Sequence, residues 1–342
     1  MTPAIFGLSG LALTDDERDF FRDSKPAGYI LFLRNCETRE QVRALTDSLR
    51  DLHGTDELIV SIDQEGGRVA RMKAPEWPKY PSGETFAKLW DVAPVSAIEA
   101  ARVNAQALAT DLAQVGITVN YHAPFDVRQP DTVDAIGDRA LGSDGRQVAA
   151  LGRAVLDGHA RAGVLGCLKH MPGHGRAKVD SHKDLPVVEA SDEELVDDLR
   201  PFQMLNDALI GMSAHIVFTA WDADNPATQS PTVIRDVIRD RIGFNGLLLS
   251  DDIDMEALSG TMADRSEKAL EAGCDIILNC WAKMDDMTAI ADRCPVMDRR
   301  SKERLDKVHG AIRLDTATAD ARELRAKRDA LFAAAGLEVA TV

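Results

Sequence analysis

The chain has no run of about 18 apolar residues, the length a membrane-spanning helix needs. Its first twenty residues, MTPAIFGLSGLALTDDERDF, have no basic stretch and soon turn acidic, so no signal peptide is expected and a cytoplasmic protein is. It has no Cys-x-x-Cys pair, and its cysteines are odd in number: Cys36, Cys167, Cys274, Cys280 and Cys294. That argues against a disulfide framework and points to reduced thiols. Positive charge is in deficit. The formal net charge is -16, a surface that repels phosphate backbones and anionic lipid, so neither nucleic acid nor membrane is expected as a partner. No Gly-x-Gly-x-x-Gly follows the first apolar run and no Walker-type lysine loop occurs, which leaves a nucleotide-binding fold the weaker reading.

What is present is alternation. Short apolar runs rich in β-branched residues fall at 4–7, 28–33, 58–63, 117–121, 164–169, 208–212, 247–250 and 275–278. Amphipathic stretches at helical period lie between most of them, at 39–52, 95–114, 144–162, 192–206, 231–241 and 262–272. Glycine precedes several apolar runs, in AGY, VGI, AGV, FNG and AGC, as expected where a helix ends and a buried strand begins. Repeated β–α units with near-continuous apolar strands imply a parallel sheet, and eight of them imply a closed (β/α)8 TIM-type barrel of a single domain over 1–310. Residues 311–342, alanine-rich and charged, read as a helical tail that packs on the barrel or frays. Residues 72–83, rich in proline and aromatics, read as a loop over the barrel mouth.

In such a barrel chemistry sits where strands end at the C-terminal face. Asp63 to Met72 (DQEGGRVARM) follows the third apolar run; Asn120, His122 and Asp126 follow the fourth, with Asp138 and Arg139 beyond. His215 follows the sixth, Asp251, Asp252 and Asp254 the seventh, and Asn279 ends the eighth. Asp63 and Arg71 also fit a structural ion pair, and Ser250–Asp252 a cap on the next helix. His53, His159 and His309 read as ordinary surface residues.

The segment after the fifth run, KHMPGHGRAKVDSHKDLP (169–186), is the densest. It holds Lys169, His170, His174, His182 and two glycines, a mixture that a merely structural loop does not require. In Asp180-Ser181-His182 an extended backbone places the flanking side chains on one side, so that Asp180 orients His182 for proton transfer. Gly173 and Gly175 read as freedom for the loop to move. A metal site built on these histidines is the rival reading, although the spacing fits no common zinc motif.

Taken together and in this order, DQEGGRV (63–69), KHMPGHG (169–175), DSH (180–182) and SDD (250–252) resemble glycoside hydrolase family 3. The likeness is greatest to its single-domain bacterial branch, the β-N-acetylhexosaminidases of peptidoglycan recycling, and spans roughly residues 3–300. The resemblance implies a retaining exo-β-N-acetylglucosaminidase acting on GlcNAc-1,6-anhydro-muropeptides. Asp251 is then the nucleophile, His182 the general acid/base and Asp180 its partner, while Asp63, Arg71, Arg139, Lys169 and His170 line the sugar site. No cofactor or metal is implied, the partner is a small sugar substrate, and a monomer is favoured. Lys169 or Arg139 is expected to help keep Asp251 ionised. The alternatives are phosphorolysis on the same scaffold, a sugar-binding barrel without catalysis, and a metal-dependent hydrolase.

Overall fold

The computed structural model describes residues 1–122, 124–314 and 319–339. Its main sheet runs through β1 (Thr2–Gly7), β2 (Pro26–Leu31), β3 (Ile59–Ile62), β4 (Val119–Asn120), β5 (Leu165–Gly166) and β6 (Leu168–Met171). A small pair, β7 (Val187–Val188) and β9 (Val217–Phe218), lies apart from it, while β8 (Ile210–Ser213), β10 (Leu247–Asp252) and β11 (Ile276–Asn279) complete the large sheet. Every pairing in it is parallel, in the order β5-β4-β3-β2-β1-β11-β10-β8-β6.

The two ends of that order are neighbours in sequence. β5 pairs with β4 and β6 pairs with β8, with only Cys167 between them. They are two halves of one strand, so the sheet closes on itself as an eight-stranded barrel. Side-chain alternation divides each strand between two cores. Leu247, Leu249, Ile276 and Leu278 pack inside the barrel, whereas Leu248 and Ile277 pack outward beneath the helices.

The helices are α1 (Asp15–Ser24), α2 (Arg39–His53), α3 (Gly83–Val92), α4 (Pro94–Gln114), α5 (Gly145–Arg161), α6 (Val196–Met204), α7 (Met262–Ala272), α8 (Met284–Arg293), α9 (Arg299–His309) and α10 (Ala321–Ala334), with a wider turn of helix at Val233–Arg241. Leu305 and Val308 of α9, with Ile312 just beyond it, join the inner core and plug one end of the barrel. Gly116, Gly163 and Gly273 end α4, α5 and α7 with φ of +79°, +78° and +117°, a conformation that needs glycine before the chain enters the next strand. Gly28 is different. It lies within β2, where a Cβ would meet Ile59 at 2.7 Å.

Several expectations are corrected. Residues 72–83 do not cover the mouth: Trp77 and Tyr80 are buried, Tyr80 donates a 2.6 Å hydrogen bond to Asp111 of α4, and Trp77 lies beneath Arg39 of α2. The two aromatics hold the loop down on the helices, as burial of large apolar surface dictates. His159 is fully buried rather than exposed; its ring bonds the Val155 carbonyl and the Asn120 side chain. His53 and His309 are half-buried, and His53 bonds the Tyr29 hydroxyl at 2.6 Å. Asp251 and Asp252 cap no helix, because α7 begins ten residues on with its own cap, Thr261. In the tail, α10 lies along α4: Phe332 is buried against Phe86, and Arg328 donates to Asn104 at 2.8 Å. Residues 315–318 and 340–342 of the tail lie outside the described residues.

Candidate active site

A cavity of about 250 Å³ opens at the C-terminal ends of the strands. Asp63, Arg71, Arg139, Lys169, His170, Asp180, His182 and Asp251 all line it, so the whole set singled out from the sequence meets in one place. Phe32, Tyr121, Met212, Met255 and Leu278 supply apolar surface beside them.

One wall is a buried ionic network. Lys169 within β6 places its ammonium 3.0 Å from Asp63 and 2.7 Å from Glu65. Arg139 grips Glu65 with two bonds of 2.7 and 2.8 Å, the forked geometry that suits guanidinium to carboxylate. Arg71 lies 3.4 Å from the other Asp63 oxygen and over the Phe32 ring. Burial alone would raise the Asp63 and Glu65 pKa values; Lys169 with Arg71, and Arg139 with Lys169, more than reverse that and hold both carboxylates low. Burial likewise works against the Lys169 charge, and Glu65 with Asp63 overcomes it. Arg71 Nε is buried with no hydrogen-bond partner, an open donor in the cavity wall. Glu65 was not among the residues singled out. Its signal lay in DQEGG itself, since the two inward acids there require Arg139 and Lys169 as counter-charges.

A second network holds the His170–His182 segment. Asp126 accepts 2.8 Å from His170 Nδ1 and also takes the His170 and His174 amides, at 3.2 and 2.7 Å. Asp126 is completely buried, and burial opposes its charge, but His170 outweighs that and lowers its pKa. A 3.2 Å hydrogen bond joins the His174 ring to Ser181, which sits between the dyad residues. Burial brings the His174 pKa down to about 4, with the His170 charge adding to it, so that ring is neutral.

Asp180 and His182 pair, though not through an extended backbone. Residues 181–183 form a turn in which Asp180 Oδ1 accepts both the His182 amide, at 3.0 Å, and its Nδ1, at 2.8 Å. Aspartate side chains favour such local turns. His182 remains 67% exposed at the side chain, open to solvent on one side and to the cavity on the other. Nor do both glycines signal free motion: a Cβ at Gly175 would stand 1.9 Å from the Val127 carbonyl, so its role is close backbone approach.

Asp251 and Asp252, adjacent at the end of β10, are driven apart in acidity. Burial opposes the Asp251 charge; His170, then His215 and the Asp252 amide at 2.8 Å, reverse this and bring its pKa down to about 2. Lys169 and Arg139 do not supply that help, being committed to Asp63 and Glu65. Asp252 is pushed well up by burial and by the charge of Asp254. Of the two, Asp251 is the stronger acid.

The other polar residues at the strand ends bond chiefly to the protein itself. His215 bonds Thr228 and the Asp252 carbonyl, Asn120 bonds the Gln64 backbone, and Asn279 donates to Asp254 at 2.8 Å. His122 lies buried against His159; burial and that neighbour bring its pKa down to about 3. Asp138 pairs with Arg68 at 2.7 Å. Among the described residues, no group of three or more His, Cys, Asp and Glu is arranged to hold a metal ion.

Residues 6–310 match the model of the glycosyl hydrolase family 3 N terminal domain. The chain belongs to glycoside hydrolase family 3. Family members similar to it include the beta-hexosaminidase of Bordetella avium, 33% identical over 334 residues that cover 95% of this chain and 94% of the relative. The beta-hexosaminidase of Aromatoleum aromaticum is 37% identical over 284 residues, 81% of this chain and 79% of that one. Among solved family 3 folds, NagZ from Neisseria gonorrhoeae in complex with N-trifluoroacetyl-D-glucosamine superposes with a TM-score of 0.87 at 29% identity, over 98% of this chain and 97% of that one. The barrel is therefore a family 3 catalytic barrel, and the chain is a glycoside hydrolase of the β-N-acetylhexosaminidase type.

Proposed function

We propose that the protein is a retaining exo-β-N-acetylglucosaminidase that removes terminal β-linked GlcNAc from peptidoglycan fragments in the cytoplasm, the muropeptides with a 1,6-anhydro end among them. The observation that carries the reading is the meeting of a strongly acidic, partly buried Asp251 with the Asp180–His182 pair across one cavity. At about 250 Å³ the cavity is smaller than the roughly 300–1,000 Å³ of typical ligand pockets, which favours a single sugar ring over an internal stretch of polysaccharide. The binding of N-trifluoroacetyl-D-glucosamine by NagZ from Neisseria gonorrhoeae supports the same sugar for this chain.

The chemistry follows from the side chains. Asp251 attacks the anomeric carbon while protonated His182 gives its proton to the departing oxygen, leaving a covalent glycosyl ester. Neutral His182 then takes a proton from water, the water attacks the anomeric carbon from the face the leaving group vacated, and Asp251 is released; two inversions retain the configuration. Asp180 holds the His182 tautomer and stabilises the imidazolium. Asp63 accepts sugar hydroxyls, and Arg71 supplies its open Nε donor. Lys169 lies beneath Asp63 and keeps it ionised, Arg139 acts through Glu65, and His170, fixed by Asp126, faces the ring. Incubation of an aryl β-N-acetylglucosaminide with and without phosphate tests the reading. GlcNAc as the product in both supports it; GlcNAc-1-phosphate as the main product transfers the site to a phosphorylase.

A further inference from the structure

The turn at 63–69 carries Asp63 and Glu65 of the ionic wall, and Arg71 follows it. That turn rests on the stretch 80–83. The Gly67 amide donates to the Tyr80 carbonyl at 2.8 Å, and a Cβ on Gly66 would collide with the Pro81 carbonyl. The same stretch abuts the other part of the wall, because a Cβ on Gly83 would collide with the carbonyl of Arg139. Backbones packed this closely pass a displacement on instead of absorbing it.

What fixes the stretch 80–83 includes α10, the helix of the tail. Tyr80 donates to Asp111 of α4 at 2.6 Å and accepts from Arg325 of α10 at 3.4 Å. Arg325 lies 3.9 Å from the same Asp111 oxygen, and Arg39 of α2 lies 3.2 Å from the other. Just beyond Gly83, Phe86 of α3 meets Phe332 of α10 edge to face, with ring centroids 5.9 Å apart. Arg325, Arg328 and Phe332 recur at i, i+3 and i+7, which places them on one face of the helix. Arg328, bonded to Asn104 of α4 at 2.8 Å, holds that face in place. Tyr80, Phe86 and Phe332 are buried, and a hydrogen bond to a carboxylate in such surroundings is strong and little screened.

We infer that α10 is a positioning element of the sugar site, with Tyr80 and Arg325 as the positioning residues that set where Asp63 and Arg71 stand against the sugar hydroxyls. Neither of the two lines the catalytic cavity; they act through the stretch 80–83. The inference rests on the glycosidase reading, which gives the hydroxyls to Asp63 and Arg71, and it adds a part of the chain remote from the cavity. Hydrogen bonds weaken steeply with misplacement. A shifted turn therefore weakens the hold on the sugar, while Asp251 on β10 and His182 in the segment after β6 keep their places.

The test uses the full chain, Tyr80→Phe and Arg325→Met, with 4-nitrophenyl β-N-acetylglucosaminide and its 3-deoxy, 4-deoxy and 6-deoxy analogues. In the wild type the analogue with the largest loss in kcat/KM marks the hydroxyl that Asp63 and Arg71 hold. In either variant KM for the parent glycoside is expected to rise about 3–10-fold with kcat within about 2-fold, and the deoxygenation penalty to shrink by a similar factor, the coupling that a double-mutant cycle reads. Arg325→Lys recovers part of both. Leu305→Ala, a cavity in the barrel plug, is the control: it lowers the melting temperature and leaves the penalty as in the wild type. An undiminished penalty in both variants, or an equal loss in the control, overturns the inference while the glycosidase reading stands. If none of the glycosides is cleaved, hydrogen exchange at the Gly67 amide decides. Faster exchange there in the two variants, with the β3 amides unchanged, supports the role of α10 and leaves the glycosidase reading as the part that failed; wild-type protection at Gly67 refutes it.

Discussion

Asp126 and His170 form a 2.8 Å hydrogen bond in which the carboxylate is fully buried and the ring is 8% exposed. Asp126 thereby fixes which nitrogen of His170 is left for the cavity, and His170 is the foremost attracting charge that keeps Asp251 ionised. The link runs from a loop after β4, through the end of β6, to the end of β10. Asp126→Asn weakens both the orientation and the charge. A loss of about 10–100-fold in kcat/KM is expected, the value of a hydrogen bond to a charged group, with the acidic limb of the pH–rate profile moved upward as Asp251 loses its support. An unchanged acidic limb counts against this chain of influence.

Asp251 and Asp252 differ in what their removal does. On the proposed mechanism Asp251→Asn removes the nucleophile, and turnover of an aryl β-N-acetylglucosaminide is expected to drop on the order of 10⁴-fold or more with the melting temperature little changed. Burial and the Asp254 charge push the Asp252 pKa well up, so Asp252→Asn, which removes a charge that site disfavours, is expected to cost about 10-fold or less. Reversed sensitivities of the two variants move the nucleophile to Asp252.

For His182 the diagnostic is the leaving group. His182→Ala is expected to cost about 10²–10⁴-fold on an alkyl or sugar aglycone, where protonation is needed, and much less on a 2,4-dinitrophenyl glycoside, which leaves unaided. Equal losses on the two substrates argue against an acid role.

The Lys169–Asp63–Glu65 cluster links the site to stability. Lys169→Met takes the shared cation from the buried Glu65 and the partly buried Asp63, leaving each with one arginine, a change expected to cost about 3 kcal/mol at neutral pH. Asp63 and Glu65 have folded pKa values below their unfolded ones. Their contribution is full above the unfolded value of about 4 and is lost as pH falls through the depressed folded values. Urea unfolding at pH 7 and pH 3 is therefore expected to show the gap between wild type and variant narrowing in acid. A gap of the same size at both pH values contradicts the pairing.

The barrel was legible because its signal is repeated: each of the eight apolar runs overlaps a strand, and only the split of the fifth at Cys167 was invisible, since closure is a property of the whole sheet. The cavity residues were legible through motifs at strand ends. Less so were the counter-charges. Nothing in the spacing shows that Glu65 rather than Asp251 takes the charges of Lys169 and Arg139, because those partners lie 104 and 74 residues from Glu65 and meet it only once the barrel closes. The loop 72–83 misled for a related reason. Proline and aromatics mark a loop, but which surface the aromatics bury against is decided by α2 and α4, far along the chain.

The central claim is that Asp251 attacks the sugar and water then displaces it, and the anomer first released reports on that directly. Proton NMR during hydrolysis of an aryl β-N-acetylglucosaminide, recorded before mutarotation, is expected to show β-GlcNAc appearing first, with or without phosphate in the buffer. First appearance of the α-anomer contradicts a covalent Asp251 intermediate.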